Sequence, residues 1–188
     1  EAEMLLALVY YHKNNFDKAV KICVDLIHKG GKRNSQKIIA RAHRELGIHY
    51  ILRRNFKIGL KYFNNSLKIS HNINDKSSIA HSTCVLAWYY AESNYASHHK
   101  IVTMFEEGLK IHEELENSRG RVGTNIDLGY YHCWAMGEVD KSLAYNQNAH
   151  EIANNSGNIL DMGLGDLGMG MYYKFMGDYK KSDKYFKR

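Results

Sequence analysis

The chain has 188 residues, 44% of them hydrophobic and 24% charged, enough apolar material for a substantial core and not the make-up of a disordered chain. No stretch approaches the roughly 20 consecutive apolar residues of a membrane-spanning helix. A net charge of +6 and a pI near 9.1 admit acidic partners, nucleic acid included, without requiring them. Taken in chain order, apolar periodicity predicts helices near 1–13, 16–29, 35–53, 56–71, 76–93, 97–116, 119–136, 139–155 and 158–176, and a last one from about 179, with no strand. Between them lie H-K-G-G-K-R-N-S, S-H-N-I-N-D-K, E-N-S-R-G-R and N-N-S-G-N, loops built from Gly, Asn, Asp and Ser as turn formers. There is no proline anywhere.

The helices repeat. The first helix of each predicted pair carries a small residue at Ala7, Gly47, Ala87, Gly129 and Gly170, preceded by Leu6, Leu46, Leu86, Leu128 and Met169, a period of 40 to 42 residues. Three places on stand Tyr10, Tyr50, Tyr90, His132 and Tyr173, one turn along the same face. The second helices carry Ala19, Gly59, Ile101, Ser142 and Ser182, followed four residues later by Cys23, Phe63, Phe105, Asn146 and Phe186. A small residue lets two helices approach closely, and an aromatic fills the space beside it. The third pair is expected to have the longest internal turn, at Asn94 to Ser97, because Tyr90 to Ile101 spans two residues more than Tyr50 to Gly59.

The small, aromatic, small, aromatic order resembles the tetratricopeptide repeat family over nearly the whole chain. The longer period is similar to the 40-residue variants of kinesin light chains, Pins-type polarity adaptors and many microbial signalling proteins; the family's usual period is 34. The resemblance implies an all-α, right-handed superhelical solenoid of about five helix-turn-helix repeats, near 1–34, 35–75, 76–117, 118–157 and 158–188, forming one domain. Such relatives often line the groove with asparagines two places before the small residue. Here those places hold Leu5, Glu45, Val85, Asp127 and Gly168, so that mode of backbone recognition does not carry over. The chain starts at Glu1 and stops at Arg188 inside helical patterns, with no capping element, leader or targeting tail, and reads as an excerpt of a longer protein.

In this architecture first helices line the concave face. The positions one turn from the packing face give a groove of Tyr11, Arg41, Arg44, Ile48, Trp88, Tyr130, Trp134, Met171 and Phe175, mostly apolar and aromatic, as an interface anchor requires. The same side chains also suit packing between repeats. Lys37, Arg41 and Arg44 share a helical face and could converge on a carboxylate, although pairing of the arginines with Glu45 is the plainer reading.

Chemistry is sparse. Eleven histidines invite a metal, but His81 with Cys84 and His132 beside Cys133 are pairs, whereas a structural zinc needs four ligands, so neither metal nor other cofactor is expected. The string L-D-M-G-L-G-D-L-G-M-G lacks the G-K-[ST] ending of a phosphate loop and follows no strand. No nucleophile stands with a base and an orienting acid, so an enzyme is not expected. Cys23, Cys84 and Cys133, odd in number and unpaired in spacing, favour reduced thiols in the cytoplasm. The leading expectation is a scaffold that holds a peptide or protein segment in its groove, with a regulatory or sensor arm of a larger signalling protein, or an RNA-binding helical repeat, as the alternatives. Nucleic acid is disfavoured because most lysines fall on second helices, away from the groove aromatics; a membrane is not expected as a partner.

Overall fold

Every turn but one in this chain ends on the same two-residue device. A residue in the left-handed region closes one helix, and the next residue starts the following one: Asn14–Asn15, Asn34–Ser35, Arg54–Asn55, Asn74–Asp75, Glu116–Asn117, Gly137–Glu138, Gly157–Asn158 and Gly177–Asp178. Gly and Asn tolerate positive φ at low cost, and in five of these turns an Asn or Asp then accepts from an orphan N–H of the new helix. Asn15 caps Lys18, Asp75 caps Ser78, Asn117 caps Gly120, Asn158 caps Leu160 and Asp161, and Asp178 caps Lys181. A chain so punctuated needs no proline to break its helices.

The computed structural model describes residues 2–187. Among them are ten helices and no strand: α1 (Ala2–His12), α2 (Phe16–Lys32), α3 (Gln36–Leu52), α4 (Phe56–Asn72), α5 (Lys76–Ser93), α6 (His98–Glu114), α7 (Ser118–Met136), α8 (Val139–Ser156), α9 (Ile159–Phe175) and α10 (Tyr179–Phe186). All ten expected helices are present. One expected loop is helical instead: α2 runs through Gly30 and Gly31 to Lys32, and Asn34 makes the break. Gly30 is buried where a Cβ would lie 2.7 Å from Ile39 Cγ1, so this glycine serves close packing rather than the turn. The turn between α5 and α6, residues 94–97, is the longest within a pair, as the spacing predicts.

Packing divides the chain into two compact units, Glu1–Tyr89 and Tyr90–Arg188. In the first, α1 packs on α2, α2 on α3 and α3 on α4. Its core is Ala7, Cys23 and Leu46, flanked by Val20, Ile27, Tyr50 and Tyr62, with Tyr50 and Tyr62 stacked at 5.5 Å. In the second, α7 packs on both α8 and α9, and α9 on α10. Its core includes Val122, Ala149 and Ala153, flanked by Ile126, Ile152 and Leu164. The small and aromatic places of the repeat meet as the pattern requires: ideal Cβ atoms on Gly47 and Gly170 would lie 2.6 Å from Phe63 and 2.5 Å from Phe186. Among the described residues no helix is long and apolar enough to cross a membrane.

Several histidines are held neutral. His49 in α3 is 1% exposed, stacked on Tyr11 at 5.0 Å, and neither ring nitrogen has a hydrogen-bond partner. Burial lowers its pKa, as it does those of His43 in the same unit and His112 in the other. The unfolded chain, with histidines near 6.5, therefore binds protons before the folded one. Stability should be fully present above that value and fall as pH drops through it, until the lowered folded pKa values are reached. Thermal melts at pH 7.5 and about pH 5 should show a lower midpoint in acid, with the loss reduced in H49F; equal midpoints would mean these rings are not buried neutral.

Candidate functional site

Two helices of the second unit, α7 and α9, are tied together at their N-terminal ends. Asp161, in the first turn of α9 and 2% exposed, accepts from Ser118 Oγ at 3.0 Å and Arg119 Nε at 2.9 Å, both at the start of α7. Farther along, Ile126, Tyr130 and Cys133 recur at helical spacing on α7, Gly168, Met171 and Phe175 on α9, and Ser142 and Asn146 on α8. These side chains, with Tyr172 and Lys174, line a cavity of about 380 Å³. Its mouth is apolar and aromatic: Tyr130 is 37% and Phe175 56% exposed. Trp134, one turn beyond Tyr130 and 50% exposed, stacks with it at 6.2 Å and also lines a neighbouring hollow with Ile101 and Tyr131.

The floor is polar. Asn146 is 3% exposed; its Nδ2 donates to the Ser142 carbonyl at 2.9 Å, and its Oδ1 accepts no hydrogen bond. Ser142 Oγ is closed off from solvent beside Cys133, whose sulfur is a weak acceptor for its hydroxyl. Burial pushes the Cys133 thiol and the Tyr172 hydroxyl above their ordinary pKa values, keeping both neutral. At the rim the exposed Lys174 ammonium has no acidic partner among the described residues.

Of the groove residues expected from the repeat, Tyr130, Met171 and Phe175 come together on this cavity, and Trp134 extends its aromatic edge. Five lie in the first unit. Tyr11 is half-buried against His49; Ile48 and Trp88 are half-buried; Arg41 lines a hollow of about 300 Å³ with Met4, Leu5, Leu8 and Glu45. Arg44 is buried, and its guanidinium bonds to Glu45 Oε1 at 3.1 Å, the plainer of the two pairings read from sequence. His81 is exposed and Cys84 buried, and among the described residues no group of three or more potential metal ligands stands together.

Sequence reading placed Ser142 and Asn146 on a packing face and Gly168 at the place where relatives carry a groove asparagine, and assigned none of them to the site. The signal was the departure at Asn146. Phe63, Phe105 and Phe186 hold the same place in their repeats, Phe63 and Phe105 at 0% exposure, and the fourth repeat puts a shorter amide there.

No protein-family model and no curated protein matches the chain. Solved structures do. BtubC (BKLC) from P. vanneervenii superposes with a TM-score of 0.74 over 99% of this chain and 76% of its own, at 17% identity. A Podosopora anserina protein described as a kinesin light chain with nearly identical TPR-like repeats superposes at 0.66 over 99% and 90%, at 14% identity. The fold is TPR-like. RapI in its apo form adds a TM-score of 0.66 over 98% of this chain at 14% identity, and this chain spans 64% of it. At such identities the likeness extends to the fold and stops there.

Proposed function

We propose that this TPR-like chain is a non-catalytic protein-interaction module that holds a peptide or protein segment on the aromatic face of its second unit. One observation carries the reading: Tyr130 and Phe175 line a preformed cavity and Trp134 stacks on Tyr130 beside it, each of the three more than a third exposed instead of packed into the core. Rigid aromatics around a hollow are what interface anchors are made of. The other expected groove residues, Tyr11, Arg41, Arg44, Ile48 and Trp88, belong to the proposal as parts of a second, weaker contact region on the first unit. Three buried cysteines without disulfides, Cys23, Cys84 and Cys133, support a reducing, cytoplasmic setting.

Changing Tyr130 and Trp134 together to alanine should leave helicity intact, since both rings are substantially exposed, and should remove the proteins captured by the wild-type chain in quantitative affinity purification. Unchanged capture would sink the reading. Tight binding of an RNA oligonucleotide that weakens steeply between two salt concentrations would favour the nucleic-acid alternative instead.

A further inference from the structure

The net charge of +6 is unevenly shared between the two units. Residues 1–89 carry 15 lysines and arginines against 6 aspartates and glutamates, whereas residues 90–188 carry 11 against 14. Within the basic unit, positive charge is least balanced along the edge where α1 turns into α2 and α3 into α4. Residues 10–18 and 50–58 hold Lys13, Lys18, Arg53, Arg54 and Lys57 against Asp17 alone. All five cations are exposed, and none has an acidic partner among the described residues. At the opposite edge of the same unit Lys29 pairs with Glu3 and Lys37 with Asp75. Side-chain contacts join the two turns into one surface: the Arg53 guanidinium lies over the Phe16 ring at 4.9 Å, and Phe16 meets Tyr50 edge-on at 5.5 Å.

Two of the five stand where the fold by itself favours another residue. Arg54 has a φ of +61°, whereas the other turns of this unit put Asn14, Asn34 and Asn74 in that left-handed place. A short amide takes the conformation at low cost and a long side chain does not. Lys57 stands in the first turn of α4, the positive end of the helix dipole, with no acid there to balance it. Charges kept at the expense of local stability point to a role outside the fold.

The neighbours of these cations narrow the chemistry of the partner. Leu52 and Ile58, 51% and 38% exposed, flank Arg53, Arg54 and Lys57, so a matching surface carries apolar groups among its negative charges. The edge has no open ring on which a base could stack, since Arg53 covers Phe16 and Lys18 covers Tyr10 at 5.2 Å. Two aliphatic side chains are too few for the broad apolar face that a bilayer surface requires. Carboxylates suit the planar fork of an arginine, and an extended acidic segment brings several of them at once.

We propose that the α1–α2 and α3–α4 turns of the first unit form a docking edge for an acidic protein segment with apolar side chains between its carboxylates. Lys13, Lys18, Arg53, Arg54 and Lys57 meet the carboxylates, and Leu52 and Ile58 meet the apolar groups. The surface lies in a different unit from the aromatic cavity and stands or falls without it.

The test titrates the full chain by fluorescence anisotropy with a short labelled peptide of alternating glutamate and leucine. Binding should be seen at low ionic strength and weaken as salt rises, because exposed charges are screened. R54N restores the asparagine of the other turns, and K57E puts an acid in the first turn of α4. The double variant R54N/K57E should therefore melt at or above the wild-type midpoint, yet bind the peptide at least about fivefold more weakly. K110N/K184E makes the same change in net charge in the second unit and should leave binding within about twofold. No binding of the peptide, equal binding by R54N/K57E, or the same loss in K110N/K184E would each overturn the proposal. A lower melting midpoint of R54N/K57E would do so too, since the fold itself would then need these charges. Equal binding of a glutamate–serine peptide would remove the apolar contribution and overturn the match to an acidic, apolar segment. Tighter binding of poly-uridine RNA, or of phosphatidylserine vesicles, that is lost in R54N/K57E would assign the edge to nucleic acid or to a membrane instead.

Discussion

Phe63→Ala is expected to destabilise the first unit by about 3–5 kcal/mol, the usual range for removing a buried phenyl ring. The ring is 0% exposed and lies against Gly47, where an ideal Cβ would come within 2.6 Å of it. That geometry makes collapse of the resulting hole difficult, because the facing residue has no side chain to move in, and unrelaxed cavities carry the larger penalties. The two units are best read separately, since a helical repeat need not unfold in one step. Trp88 falls in the first unit and Trp134 in the second, so denaturant titrations in Trp88→Phe and Trp134→Phe backgrounds follow one unit at a time. An unmoved midpoint in the unit reported by Trp88 would show that Phe63 is not the filler of that helix contact.

Gly129→Leu is expected to destabilise the second unit by about 1–3 kcal/mol or more, the cost of overpacking a close contact. A Cβ there would lie 2.4 Å from Asn146 Nδ2 and 3.2 Å from the Ser142 backbone carbonyl. The amide can rotate away, but the carbonyl can retreat only if α8 moves. Leucine's better helix propensity, worth up to about 1 kcal/mol over glycine, offsets part of this and does not reverse it. Gly123 on the same helix supplies the control: its Cβ would meet nothing within 4 Å. Gly123→Ala should therefore raise stability by up to about 1 kcal/mol through propensity alone. A gain in stability at both positions would mean that helix propensity, not close packing, governs both glycines.

Much of the fold was legible from local signals, and particular residues show why. Asn15, Asn117 and Asp178 cap helices by hydrogen bonds to N–H groups three residues on, so helix starts are written within a few residues of themselves. The double glycine after His28 misled the same logic. Gly30 reads as a turn former, yet it is helical because Ile39, from the next helix, needs the space a side chain would take. A local signal cannot distinguish a glycine kept for its backbone freedom from one kept for its lack of a side chain.

The site divides in the same way. Tyr130, Met171 and Phe175 were found by repeat register, because equivalent places in equivalent helices point the same way. Arg44 occupies an equivalent place too, but its pairing with Glu45 and its burial depend on neighbours that register does not describe. By itself the sequence determined the helix pairs, their period, their turns and the aromatic character of the candidate surface, since each depends on spacing along one chain. Only the tertiary structure decided that an amide in place of a phenylalanine opens onto a cavity of about 380 Å³. That outcome turns on a few ångströms between α7, α8 and α9, and such distances are set by all the side chains between the helices together.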